Sequence, residues 1–213
     1  MADCCAESAC ELEKLRIAQS RTLKLVLGIN ILMFGVEFAA GILSASTALL
    51  ADSLDMLGDA FVYGFSLYVV ARTDAWKSGA ALLKSMIMAA FGFFVLGQAL
   101  YKVMYPVTPQ FEIIAGMAAI ALAANAYCLY LLWSHRTDDV NMRSVWLCSR
   151  NDIIANLSVT VAAAGVWATG SQWPDLAVGL GIAGLFLVSA VRVFRDASDT
   201  WFAYHRNLQK QQI

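Results

Sequence analysis

Six long apolar runs divide the chain, at approximately 23–43, 48–71, 79–103, 111–133, 144–168 and 176–194. Each is long enough, as a helix rising about 1.5 Å per residue, to cross about 30 Å of hydrocarbon. Composition agrees, since 60% of the 213 residues are hydrophobic and 15% charged, with a mean hydropathy of +0.63. A soluble domain has about 45–50% apolar and about 25% charged residues. The predicted fold class is therefore all-α, a polytopic membrane protein with six transmembrane helices. The predicted organisation is a cytoplasmic, cysteine-containing segment over 1–22, a six-helix transmembrane domain over 23–195 and a short cytoplasmic tail over 196–213.

Orientation follows from the cations, because Lys and Arg near span ends stay on the cytoplasmic side. One side collects Lys14, Arg16, Arg21, Lys24, Arg72, Lys77, Arg136, Arg143, Arg192, Arg195, Arg206 and Lys210, and the other holds Lys102 alone. Both termini are expected in the cytoplasm, and the expected location is a bacterial inner (plasma) membrane. Trp76, Tyr101, Tyr105, Trp133, Trp173 and Trp201 are placed as interfacial anchors. A cleaved signal is disfavoured: the first run is about 21 residues against a usual apolar core of about 7–15. Asp3, Glu7, Glu11 and Glu13 also spoil the basic leader. Fifteen basic against sixteen acidic residues leave no support for a nucleic-acid surface.

Several polar groups contradict their apolar surroundings. An aspartate at the centre of a span costs about 2.5–3.5 kcal/mol on insertion scales, yet the second run carries Asp52, Asp55 and Asp59. At about 100° per residue these three share one stripe, which has to face the bundle interior. The fifth run places Cys148 and Asp152 at i, i+4, with Asn151 beside them and Asn156 one turn further along. The first run holds Asn30 and Glu37 on a common face.

Two such helices packed together can offer Asp55, Asp59, Cys148 and Asp152 to one ion. Carboxylates with a thiolate favour tetrahedral Zn²⁺, and the sulfur admits Cd²⁺. Competing readings exist for each group. Asp52, nearest the outer end of its run, reads first as a water-facing or helix-start residue and only second as an accessory ligand. Asp55 and Asp59 could pair with Lys84 or Arg150, and Cys148 could be a packing residue like Cys128. Asn30, Glu37, Asn151 and Asn156 read as pathway or ligand-supporting groups. Cys4, Cys5 and Cys10 form a candidate accessory metal-capture segment, with incidental cysteines as the alternative.

The stretch INILMFGVEFAAGILSASTALLADSLDMLGDA (29–60) resembles the first two spans of the cation diffusion facilitator family of divalent-metal/proton antiporters. That family reads N-x-x-M-F-x-x-E, then A-L-L-A-D-x-x-H/D-x-x-x-D, matched here by Asn30, Met33, Phe34, Glu37, Asp52, Asp55 and Asp59. SVWLCSRNDIIANLSVTVAA (144–163) resembles its fifth span, with Cys148 and Asp152 on the H/D-x-x-x-D positions. The resemblance implies efflux of a divalent transition metal, Zn²⁺ first and Cd²⁺ next, in exchange for protons by alternating access. Metal binding needs deprotonated ligands, so one site holds either protons or the ion at full strength.

Asp55 and Cys148 replace the His of many zinc members, which leaves the preferred metal open. Members commonly carry a cytoplasmic domain after the sixth span, whereas 18 residues follow Arg195 here. The expectation is a short member without that domain, a homodimer held through its transmembrane helices. The third run also has Lys77 and Lys84 without the acidic residue expected near its start. No cofactor beyond the transported metal is implied. An enzyme is disfavoured because no H-E-x-x-H or activated nucleophile occurs. The remaining rivals are a cation channel and a non-transporting membrane metal-binding protein.

Overall fold

A computed structural model describes residues 2–69, 74–137 and 140–210, with side chains placed over 17–61, 63–64, 67, 85–137, 146, 149–150, 152–192 and 194–195. Its elements are α1 (Ala2–Leu43), α2 (Thr47–Val69), α3 (Asp74–Met104), α4 (Phe111–Trp133), α5 (Val140–Thr169) and α6 (Trp173–Lys210). Among the described residues there is no strand. Each apolar run has become one helix, as expected of a backbone that must satisfy its own amides in hydrocarbon. α1 continues without a break through the segment before residue 23.

Among the described residues, five helices contain stretches long and apolar enough to cross a membrane: Ile17–Leu43, Ser85–Met104, Phe111–Trp133, Asp152–Thr169 and Trp173–Arg192. α2 is not among these, and it carries the three acids Asp52, Asp55 and Asp59 along its length. It is also the most enclosed. From Thr47 to Leu54 every residue is buried, as are Met56, Asp59, Ala60 and Tyr63. The lipid-compatible helices instead expose large apolar groups such as Leu32, Met104, Val161 and Leu185. The helix least suited to lipid is the one the others surround.

α3 packs along α6, α1 along α2 and α4 along α5, and α2 also touches α3, α5 and α6. Small residues permit the close approaches, as is usual where no hydrophobic force favours helix contact over lipid. A Cβ on Gly92 would lie 2.7 Å from Leu187 Cγ, which fixes how near α3 comes to α6. One on Gly179 would lie 2.8 Å from Thr47 Cγ2, at the contact of α6 with the start of α2. Tyr101, Tyr105, Trp133 and Trp173 are more than half exposed at or beside helix ends, in keeping with anchoring. Trp76 and Trp201 lie outside the described side chains.

A buried polar clasp ties together the three connections at one end of the bundle. Asp175, in the first turn of α6 and fully buried, accepts hydrogen bonds from Ser46 Oγ, Thr47 N (2.6 Å) and Ala48 N (3.2 Å). Ser46 Oγ accepts from Leu49 N at 3.0 Å. Together they satisfy the free amides that open α2 and set a carboxylate against its positive dipole end. Lys102, near the end of α3, donates to Ala45 O (2.6 Å) and Thr47 Oγ1 (2.8 Å), with Asp175 Oδ2 at 4.0 Å. Gln172 donates to Lys102 O (3.2 Å) and accepts from Val107 N (3.0 Å), while Gln110 N bonds Ser44 O (3.0 Å). Ala45 makes the intervening turn at a positive φ of 51°.

Asp175→Ala removes the acceptor for one hydroxyl and two amides and the carboxylate beside Lys102. The expected loss of stability is roughly 3–5 kcal/mol, typical of breaking a buried charged pair. It would be read from equilibrium unfolding in detergent, and an unchanged midpoint would show that the connections hold without the clasp.

Candidate metal site between α2 and α5

Four-residue spacing on α2 stacks Asp55 and Asp59 on successive turns, and the contact between α2 and α5 brings Asp152 to the same place. All three line a cavity of about 730 Å³ whose other walls come from α3 and α6, including Met88, Phe91 and Phe186. Asp59 and Asp152 are 5% and 8% exposed, while Asp55 is half-buried. The Asp59 and Asp152 carboxyls lie within hydrogen-bonding reach of each other. Tyr63, one turn beyond Asp59, donates its hydroxyl to Asp59 Oδ2 at 2.7 Å and so fixes that carboxyl's direction.

Among the described residues no three His, Cys, Asp or Glu side chains already converge as a metal shell. The carboxyls surround a cavity rather than a preassembled ion position. Cys148 belongs to α5, but its side chain and that of Asn151 lie outside those described, as do Cys4, Cys5, Cys10 and Lys84. Arg150, named as a possible partner for Asp55 or Asp59, is exposed with its guanidinium 5.6 Å from the Trp146 ring centre.

The supporting polar groups are buried. Asn156 is fully buried and donates to Asp152 O at 2.9 Å. Asn30 donates to Val26 O at 2.9 Å and lies 4.0 Å from Cys128 Sγ. Glu37 is fully buried with neither carboxylate oxygen hydrogen-bonded. The expectation that Asp52 faces water or serves the helix start does not hold. It is 1% exposed, and the start of α2 is capped by Ser46 and Asp175 instead. Its neighbours enclose it because α2 is the central helix.

In the sequence only its four-residue spacing from Asp59 points to Tyr63. No local signal marks Asp175, because its partners Ser46, Thr47 and Ala48 lie at the start of another helix.

Residues 23–200 match the family described as the Cation efflux transmembrane domain. The chain belongs to this family. Its members are membrane transporters rather than enzymes. The metal cation efflux system protein CzcD of Cupriavidus metallidurans is 24% identical over 193 residues, covering 84% of this chain and 60% of the relative. The zinc transporter ZitB of Escherichia coli is 25% identical over 192 residues, covering 84% and 61%. The vacuolar zinc transporter COT1 of Saccharomyces cerevisiae is 30% identical over 134 residues, covering 55% and 30%. The match thus spans about 60% of the length of the two bacterial cation-efflux relatives.

Tyr63→Phe keeps the buried ring and deletes the donor to Asp59. An intramolecular hydrogen bond contributes about 0.5–1.5 kcal/mol net, and a stability loss of that order is expected from denaturation in detergent. No loss would mean that Asp59 is held by its other contacts.

Proposed function

We propose that this cation efflux domain exports a divalent transition metal from the cytoplasm in exchange for protons, with Zn²⁺ as the first cargo and Cd²⁺ next. The observation that carries the reading is the shared cavity onto which Asp55, Asp59 and Asp152 open from two different helices. The proposed ligand set is Asp55, Asp59, Cys148 and Asp152. Three carboxylates and a thiolate suit a tetrahedral Zn²⁺, and the sulfur favours Cd²⁺ over harder ions. CzcD is named for metal cation efflux and ZitB and COT1 for zinc, which supports the same class of cargo.

Coupling comes from competition. Ligands must shed their protons to take the metal, so protons arriving from the opposite side displace it. The donors sit on the middle helix of each three-helix half, the arrangement expected when one helix group rocks against another about a central site. The protein is proposed to lie in a bacterial inner membrane with both termini cytoplasmic and to pair as a homodimer through its transmembrane helices. Cys4, Cys5 and Cys10 would gather scarce ions at the cytoplasmic entrance.

The test is transport by the purified protein in vesicles under imposed pH gradients, with Zn²⁺, Cd²⁺, Co²⁺, Ni²⁺, Mn²⁺ and Fe²⁺ in turn. Asp59→Ala and Asp152→Ala are each expected to cut metal-dependent proton flux by at least about 100-fold, the upper end of what outer-sphere partners of a metal contribute. Transport retained in both variants would remove the site. Cys148→Asp is expected to shift preference away from Cd²⁺, and unaltered selectivity would return Cys148 to a packing role.

A further inference from the structure

Glu37 is the most anomalous group in the bundle. It is fully buried in α1, and neither carboxylate oxygen has a hydrogen-bond partner. α1 and α2 form an antiparallel hairpin about the turn at Ala45. Glu37 lies eight residues before that turn residue and Asp52 seven after it, so the two stand at nearly equal depth. Asp52 is 1% exposed, and its Oδ2 is likewise unpartnered. The cation at that end of the bundle, Lys102, directs its ammonium to Ala45 O and Thr47 Oγ1 instead. Asn30 and Asn125 sit deeper, beyond the layer formed by Met33, Met56 and Ala121.

Burying an unpaired carboxylate costs several kcal/mol. Deprotonated together, these two carboxyls at nearly equal depth on adjoining helices would carry a charge of −2, which one divalent ion neutralises. We propose that Glu37 and Asp52 form a second cation position, holding a divalent metal ion through carboxylate oxygens alone, one turn of α2 nearer the α1–α2 connection than Asp55. Lacking sulfur, this position has no preference for Cd²⁺ over Zn²⁺. Its role as a station on the path rests on the transport reading above; the binding itself does not.

The test counts Zn²⁺ bound per chain at saturation by equilibrium dialysis of the purified full chain in detergent. The variants are Glu37→Gln, Asp52→Asn, Asp152→Asn and the Glu37→Gln/Asp152→Asn double. Glu37→Gln and Asp52→Asn are each expected to lose one ion relative to the parent, Asp152→Asn one ion from the other site, and the double variant two. An undiminished count in Glu37→Gln or, should that variant fail to fold, in Asp52→Asn overturns the proposal, because the carboxyls then hold only protons. Loss of the same single ion in all variants, the double included, overturns it too, by making one site of the two. A loss in Glu37→Gln but not in Asp152→Asn would sink the α2/α5 reading while leaving this one standing.

Discussion

Three carboxylates on one membrane-embedded helix impose the constraint that organises this bundle. An ionisable group facing hydrocarbon is penalised whether or not it is charged, so α2 cannot occupy the periphery. The other helices resolve this by enclosing it, with α1, α3, α5 and α6 all in contact with α2. Their own outward faces carry the large apolar residues that lipid accepts, such as Leu32 and Leu185. Burial here follows from polarity, the reverse of a soluble core, because the solvent is apolar.

Enclosure by itself would leave α2 free to slide. The clasp at its start removes that freedom, since Asp175 of α6 holds the Thr47 and Ala48 amides while Lys102 of α3 holds Ala45 O and Thr47 Oγ1. The depth of Asp52, Asp55 and Asp59 is therefore referenced to α3 and α6, the helices that also wall the cavity. Gly179 allows the approach that makes this possible, because any side chain there would meet Thr47. Structure far from the carboxyls in sequence thus sets their height in the membrane.

The six helices were legible because an apolar run of about 20 residues has one stable solution in hydrocarbon. The stripe of Asp52, Asp55 and Asp59 on α2 was legible for a related reason, since helical periodicity fixes which residues share a face. What periodicity does not fix is the neighbour. Asp175 reads as an acid opening its own helix, and nothing local reveals that it caps another helix 128 residues away. Asp52 reads as close to the outer end of its run, and only the packing of α2 at the centre buries it. Tyr63 reads as one of several aromatics, and its role appears once its hydroxyl is seen on Asp59.

Donors that line a cavity without converging carry a consequence for any cation they receive. A shell already assembled would bind equally well before and after a rearrangement, and equal affinity for two states shifts neither. Here Asp55 and Asp59 belong to α2 and Asp152 to α5, around a space of about 730 Å³ far larger than an ion. In the proposed site, gathering these carboxyls about a cation would change the relation of the two helices, so occupancy and helix arrangement would be linked by the same contacts. The proximity of Asp59 to Asp152 works in the same sense, because whatever lies between them, proton or metal, sets how closely α2 and α5 can stand. Under the proposed transport reading, exchange of one for the other is then a mechanical event as well as a chemical one.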